Sequence, residues 1–165
     1  MTQSRRRAVG TFSVCLVFLL WPAHALVIVT KAAGPEAVRS TTQLRVQQIV
    51  DDFMARLTMP QRVAVSMVPK NPLMLSVEFD ASDTGFLLSL EEDFVEDLSD
   101  EELRAAIAHE LGHVWIFTPH PYLQTEALAN QIAQRLVTRE ELVQVYEKVW
   151  TRLGTKGDLA RFVGD

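Results

Sequence analysis

Hydrophobic positions recur at helical spacing through Leu44, Ile49, Val50, Phe53, Met54 and Leu57, until Pro60 ends the run. From Arg62 to Leu90 the period falls to two. Val63, Val65 and Met67 alternate with smaller or polar residues, and so do Leu73, Leu75, Val77 and Phe79. Polar breaks at 69–72 and 80–85 separate these runs from a third strand candidate, Phe86 to Leu90. The helical period then returns. Ser99-Asp100-Glu101-Glu102 is a capping box, and its helix should carry Leu103, Ile107, Leu111 and Val114 inward until Pro119 and Pro121 stop it near Thr118. A second helix is expected from about Leu123, burying Ala127, Ile132 and Leu136. Thr138-Arg139-Glu140-Glu141 caps a third, with Leu142, Val145, Val149 and Tyr146 on its inner face. Helix, then strands, then helices reads as an α+β domain.

The 165 residues suit one domain, and the ends divide off. Arg5, Arg6 and Arg7 precede an apolar stretch from Ala8 to Trp21 and then Pro22-Ala23-His24-Ala25. A basic region, a short apolar region and an Ala-x-Ala ending describe a secretory signal over 1–25, cut after Ala25; an uncleaved N-terminal membrane anchor is the other reading. Residues 26–40 lack a period and read as a lead-in, 41–153 as the folded domain, and the Gly-rich 154–165 as a flexible tail. Cleavage would remove three arginines and no acid, leaving 13 basic against 21 acidic side chains and a charge of −8. Such a chain is no nucleic-acid binder, since phosphate recognition needs clustered Lys and Arg. The sole cysteine, Cys15, lies in the removed segment, so neither a disulfide nor a thiolate zinc site is open to the rest.

The chemistry sits on the helix opened by Ser99. His109-Glu110-Leu111-Gly112-His113 is an HExxH pattern, which chance would supply about 0.007 times in a chain with this one's 4 His and 12 Glu. Histidines four apart lie one turn above each other, so both rings can reach one metal ion. Glu110, one residue round, is placed for a water on that ion rather than for the ion itself. Zinc lowers the pKa of such a water towards ~7, and a nearby carboxylate can take its proton as it attacks a carbonyl.

A catalytic zinc needs a third protein ligand and an open position. The continuation with Gly and a third His, as in metzincins, fails, because Ile116 and Pro119 stand there; His120 is one residue off. Glu126 is the remaining candidate. In an antiparallel helix pair, His113 near the end of one helix and Glu126 near the start of the next lie at similar depth. Asn130 is i+4 from Glu126, where its oxygen could accept the spare N–H of a zinc histidine. His120 and Tyr122, in the Pro-flanked turn, are either donors to a developing oxyanion or simply a turn His and a packed Tyr.

HELGH followed by Glu-x-x-Ala-Asn resembles the gluzincin metallopeptidases. The stretch from Leu98 to Val114 is similar to peptidase family M48, and the Glu126–Asn130 segment to family M78; together they span about a third of the chain. The resemblance implies a small zincin-like domain in which an antiparallel or mixed three-stranded sheet packs on the active-site helix. It implies His109, His113 and Glu126 as ligands of one Zn²⁺, Glu110 as general base and Asn130 behind the ligands. A sheet edge beside that helix would pair with the substrate, and Phe86, Leu87, Leu88, Ser89 and Leu90 are the candidate, or else a core strand. The expected activity is hydrolysis of unfolded or extended polypeptide in the secreted or periplasmic space. The alternatives are a non-catalytic, zinc-stabilised binding protein of the envelope and, were residues 1–25 not a signal, an intracellular sensor protease.

Overall fold

Pro35 opens helix α1 (Pro35–Leu57), because its fixed φ suits a first helical position and the N–H it lacks would have no partner there. The helix thus begins inside the stretch expected to be a lead-in. Its first turns keep Glu36, Ser40 and Thr41 exposed, so they leave no hydrophobic stripe to read. Val46, Ile49, Val50, Phe53 and Leu57 form the buried face, whereas Leu44 points outward at 63% exposure. The computed structural model describes residues 35–80 and 85–164 as one compact unit. The expected signal over 1–25 lies outside the described residues. Among them, no helix is long and apolar enough to cross a membrane.

Strands β1 (Val63–Val68), β2 (Leu75–Asp80) and β3 (Gly85–Glu91) make a mixed sheet in the order β1-β3-β2. β1 runs parallel to β3, with Val65 opposite Leu88, and β2 runs antiparallel to it, with Val77 opposite Leu88. β3 is therefore central and hydrogen-bonded on both sides. Of the two readings of Phe86–Leu90, a substrate edge or a core strand, the structure has the core strand, so these residues offer no free edge. A run of apolar residues signals a strand but not its neighbours, and Phe86, Leu88 and Leu90 are buried as central-strand residues are. β2 pairs only with β3 among the described residues.

Short α2 (Glu92–Glu96) leads to α3 (Asp100–Phe117), opened by a complete Ser99 capping box. A 3-10 turn at Pro121–Leu123 precedes α4 (Glu126–Ala133), which starts three residues later than the periodicity indicates because Thr125 is its cap. Thr138 caps α5 (Arg139–Leu153) with a second capping box, and Gly154 ends that helix at φ +64°. The segment expected to be a loose tail carries α6 (Leu159–Val163), capped by Asp158. Val163 is buried in the main core and Phe162 stacks on Tyr146. Five residues are too few for a legible period.

Helix α3 is the hub: α1, α4, α5 and β2 all pack on it, and Ile107, Ala108, Leu111 and Val114 are fully buried. Two ion pairs seat α5. Lys148 Nζ donates to Glu102 Oε2 at 2.6 Å, and Arg152 Nη2 to Glu91 Oε1 at 2.7 Å. Both carboxylates are nearly buried. Burial pushes Glu102 up, but the Lys148 contact and the Ser99 N–H outweigh it and hold the group below its ordinary 4.5. A carboxylate held low stabilises the fold above its unfolded value and loses that contribution as pH falls through its folded value. Lys148→Met should thus cost about 1 kcal/mol at neutral pH, allowing for a lysine side chain that is 38% exposed. In chemical unfolding of the zinc-free protein, the gap between wild type and Lys148→Met should stay constant from pH 7 to ~5 and close below it. A gap that persists at pH 3 would contradict this assignment.

Candidate metal centre

The i,i+4 spacing on α3 sets the His109 and His113 Nε2 atoms 3.3 Å apart. The third group comes from α4. Capping by Thr125, whose hydroxyl accepts the Leu128 N–H, makes Glu126 the first residue of that helix and turns its carboxylate back towards α3. Glu126 Oε2 lies 3.2 Å from His109 Nε2, and Oε1 lies 3.6 Å from His113 Nε2. Two helices can come this close because Gly112 faces Ala129. A Cβ on Gly112 would sit 2.4 Å from the Ala129 carbonyl oxygen, so even alanine would force the helices apart.

The outer nitrogens of both histidines are held. His109 Nδ1 lies 2.8 Å from Asn130 Oδ1, and His113 Nδ1 lies 3.0 Å from Gln124 Oε1. The Gln124 amide cannot turn round, because its Nε2 donates to the main-chain carbonyl of His113 at 3.0 Å. Each Nδ1 is thereby the donor, and each Nε2 is left with a lone pair. Two imidazole lone pairs and a carboxylate then converge on one point. Acceptors so placed repel one another unless a positive charge lies between them. Both resolved shifts agree: burial works against charge on His113, but its contacts with Glu126 and Gln124 carry its pKa above the ordinary value, and the two histidines hold Glu126 far below the carboxylate range.

The donor set fits zinc. One donor atom from each of the three residues lies within 4.8 Å of the others, so a small side-chain adjustment brings them to the roughly 3.3–3.4 Å separation of tetrahedral ligands at about 2.0–2.1 Å. Two neutral imidazoles and one carboxylate are also the chemistry zinc takes at catalytic sites. Among the described residues no fourth His, Cys or carboxylate joins the cluster.

Glu110 is outside that triad but in the same cleft, a cavity of about 430 Å³ between α3 and β2. Burial pushes its carboxyl above the ordinary value, and the neighbouring charge of Glu126 adds to that; His109, His113 and a hydrogen bond from the Val77 main chain oppose it. The Val77 contact ties Glu110 to the open side of β2. Because Met74 accepts the Glu91 N–H, the bonded pairs of this antiparallel ladder fall on even-numbered residues of β2, and Val77 and Phe79 turn their main-chain groups away from β3. Phe79, Phe86 and Phe117 cluster at one end of the cleft. At the other, Ala106, Leu142, Val145 and Val149 line an apolar recess of about 150 Å³.

His109, Glu110, His113, Glu126 and Asn130 are thus brought together, whereas His120 and Tyr122 line neither cavity. Tyr122 is 97% exposed and His120 is exposed too. Periodicity did not single out Gln124, and it placed Tyr146 only on an inner face. Tyr146 meets His109 edge-on and donates to Glu126 Oε2 at 3.3 Å.

The fold is similar to that of the metallopeptidase zymogen of Pyrococcus abyssi abylysin, with a TM-score of 0.50 and 18% sequence identity over 68% of this chain and 99% of that one. The metallopeptidase zymogen of Methanocaldococcus jannaschii jannalysin compares with a TM-score of 0.48 and 19% identity over 66% and 96% of the two chains. No protein-family model matches the chain, and no curated protein does. At 18% identity the first likeness shows the α+β fold.

Gly112→Ala tests whether the site depends on the close helix contact. It should lower stability by about 1–3 kcal/mol through overpacking and weaken zinc binding, because Glu126 moves off with α4. Unchanged zinc affinity, measured by competition with a chelating dye, would show that the contact does not set the ligand geometry.

Proposed function

We propose that this chain is a zinc-dependent endopeptidase of gluzincin type. The observation that carries the reading is the convergence of His109 Nε2, His113 Nε2 and the Glu126 carboxylate, each within 3.6 Å of the next group, with Glu110 free of that set in the same cleft. His109, His113 and Glu126 would hold the ion. Bound there, zinc would supply Lewis acidity to a substrate carbonyl and make a water more acidic.

The remaining steps belong to the chain's own residues. Glu110 takes the proton of the attacking water and returns it to the leaving amine. Its raised pKa suits a group that must both accept and release a proton. β2 replaces β3 as the strand that receives substrate. An extended polypeptide can lie along the main-chain groups that β2 turns outward, the Val77 carbonyl and Phe79, while the Val77 N–H holds Glu110, with side chains reaching the aromatic and aliphatic ends of the cleft. Unfolded or extended segments are the substrates such an open groove accepts. The metallopeptidase named for abylysin shares the fold and supports the same reaction class. The basic-apolar-Ala-x-Ala pattern of residues 1–25 supports export, so the activity is proposed for the secreted or periplasmic space.

A zinc-stabilised binding protein would close the fourth position with a protein side chain, and it would have no use for Glu110. Glu110→Gln keeps the ligands and removes the base. Zinc content should remain at one per chain, while cleavage of casein or an unfolded peptide falls by at least about 100-fold. Equal cleavage by both proteins would overturn the role of Glu110. Zinc in both with cleavage in neither would favour the binding protein.

A further inference from the structure

Asn130 is fully buried, and all three of its neighbours matter. Its Oδ1 faces His109 Nδ1 at 2.8 Å, while its Nδ2 donates to the Tyr146 hydroxyl at 2.8 Å and to the Phe162 main-chain carbonyl at 2.9 Å. A carboxamide is nearly symmetric in shape, so its neighbours decide which way round it sits. The Tyr146 hydroxyl, while its proton goes to Glu126 Oε2 at 3.3 Å, favours the same orientation, but it can turn that proton to the amide instead. A main-chain carbonyl can only accept, and turning the amide over would set two oxygens about 3 Å apart with no proton between them. Phe162 belongs to α6, 32 residues further along the chain.

We propose that α6 is a working part of the metal centre. Its Phe162 carbonyl, aided by the Tyr146 hydroxyl, fixes the Asn130 amide so that His109 carries its proton on Nδ1 and presents a bare Nε2 to the metal. With α6 away, only the Tyr146 hydroxyl opposes a turn, and by moving its proton from Glu126 to the amide oxygen it lets Nδ2 donate to His109 Nδ1. The ring proton then moves to Nε2, where it blocks coordination. His113 needs no such help, since its own main-chain carbonyl orients Gln124. The arrangement also accounts for the residue type at 130: an aspartate could accept from His109 but could not donate to Phe162. This positioning role rests on the metal-site reading above.

Releasing α6 without touching the site tests it. Arg139 donates twice to the Gly164 carbonyl, at 2.6 and 3.0 Å, and Val163 is buried. Arg139→Ala combined with Val163→Asp should free the helix, which faster trypsin cutting after Arg161 would verify. In the zinc-free full chain, ¹⁵N shifts should show His109 protonated on Nδ1 in wild type and as a tautomer mixture in the released variant. Zinc affinity, by competition with a chelating dye, should fall about 10- to 100-fold. Adding Asn130→Asp to the released variant should restore both readouts, because a carboxylate has no N–H to turn towards the ring.

An unchanged tautomer and affinity in the released variant would overturn the proposal, as would a loss that Asn130→Asp fails to restore. Should the released variant not fold, Asn130→Asp alone decides. It should loosen α6 towards trypsin while His109 stays protonated on Nδ1, and unaltered trypsin resistance would overturn the proposal. A wild type that binds no zinc would defeat the metal reading, yet the tautomer measurement would still test the lock.

Discussion

Two imidazole nitrogens and a carboxylate, with contacts of 3.2, 3.3 and 3.6 Å between the groups, make an arrangement that costs free energy until a cation occupies its centre. Once Asn130 and Gln124 have claimed the Nδ1 protons, neither Nε2 has a proton to offer Glu126, whose Oε2 accepts from the Tyr146 hydroxyl at 3.3 Å. The rest of the domain makes this convergence possible. Gly112 lets α4 meet α3 with no side chain between, the Thr125 cap aims Glu126, and the pairs Lys148–Glu102 and Arg152–Glu91 fix the helix that presents Tyr146.

In the proposed mechanism, catalytic reach follows from a separation of roles along one turn of α3. His109 and His113 face α4 and its carboxylate, while Glu110 faces the cleft and is tied to β2 through Val77. One residue's rotation around the helix divides the proposed ligands from the proposed base. The strand that could align a substrate is the one that touches the base, so orientation and proton transfer share a wall.

Much of this was legible in the sequence because it is written in local patterns. Both capping boxes form as their residues require, and the alternations from Val63 to Met67 and from Leu73 to Phe79 mark strands, although exposed Leu73 lies before β2. Histidines four apart and an asparagine four beyond a glutamate are statements about single helix faces, and those faces meet. What escaped depends on neighbours distant in sequence. The run Phe86–Leu90 looks the same at an edge as in the middle of a sheet, and only the crossover from β1 makes it central. α6 is too short for a period and is held by contacts with Asn130, Tyr146 and Arg139 from other helices. Gln124 sits in a turn, where no periodicity applies, and its role exists only through the ring beside it.

Zinc K-edge X-ray absorption on the zinc-loaded full chain tests the central claim most directly. The expected result is one ion per chain with a shell of nitrogen and oxygen at about 2.0–2.2 Å and the outer scattering of two imidazoles, reduced to one in His113→Ala. A chain that takes up no zinc, or a spectrum whose imidazole scattering His113→Ala leaves unchanged, would contradict it.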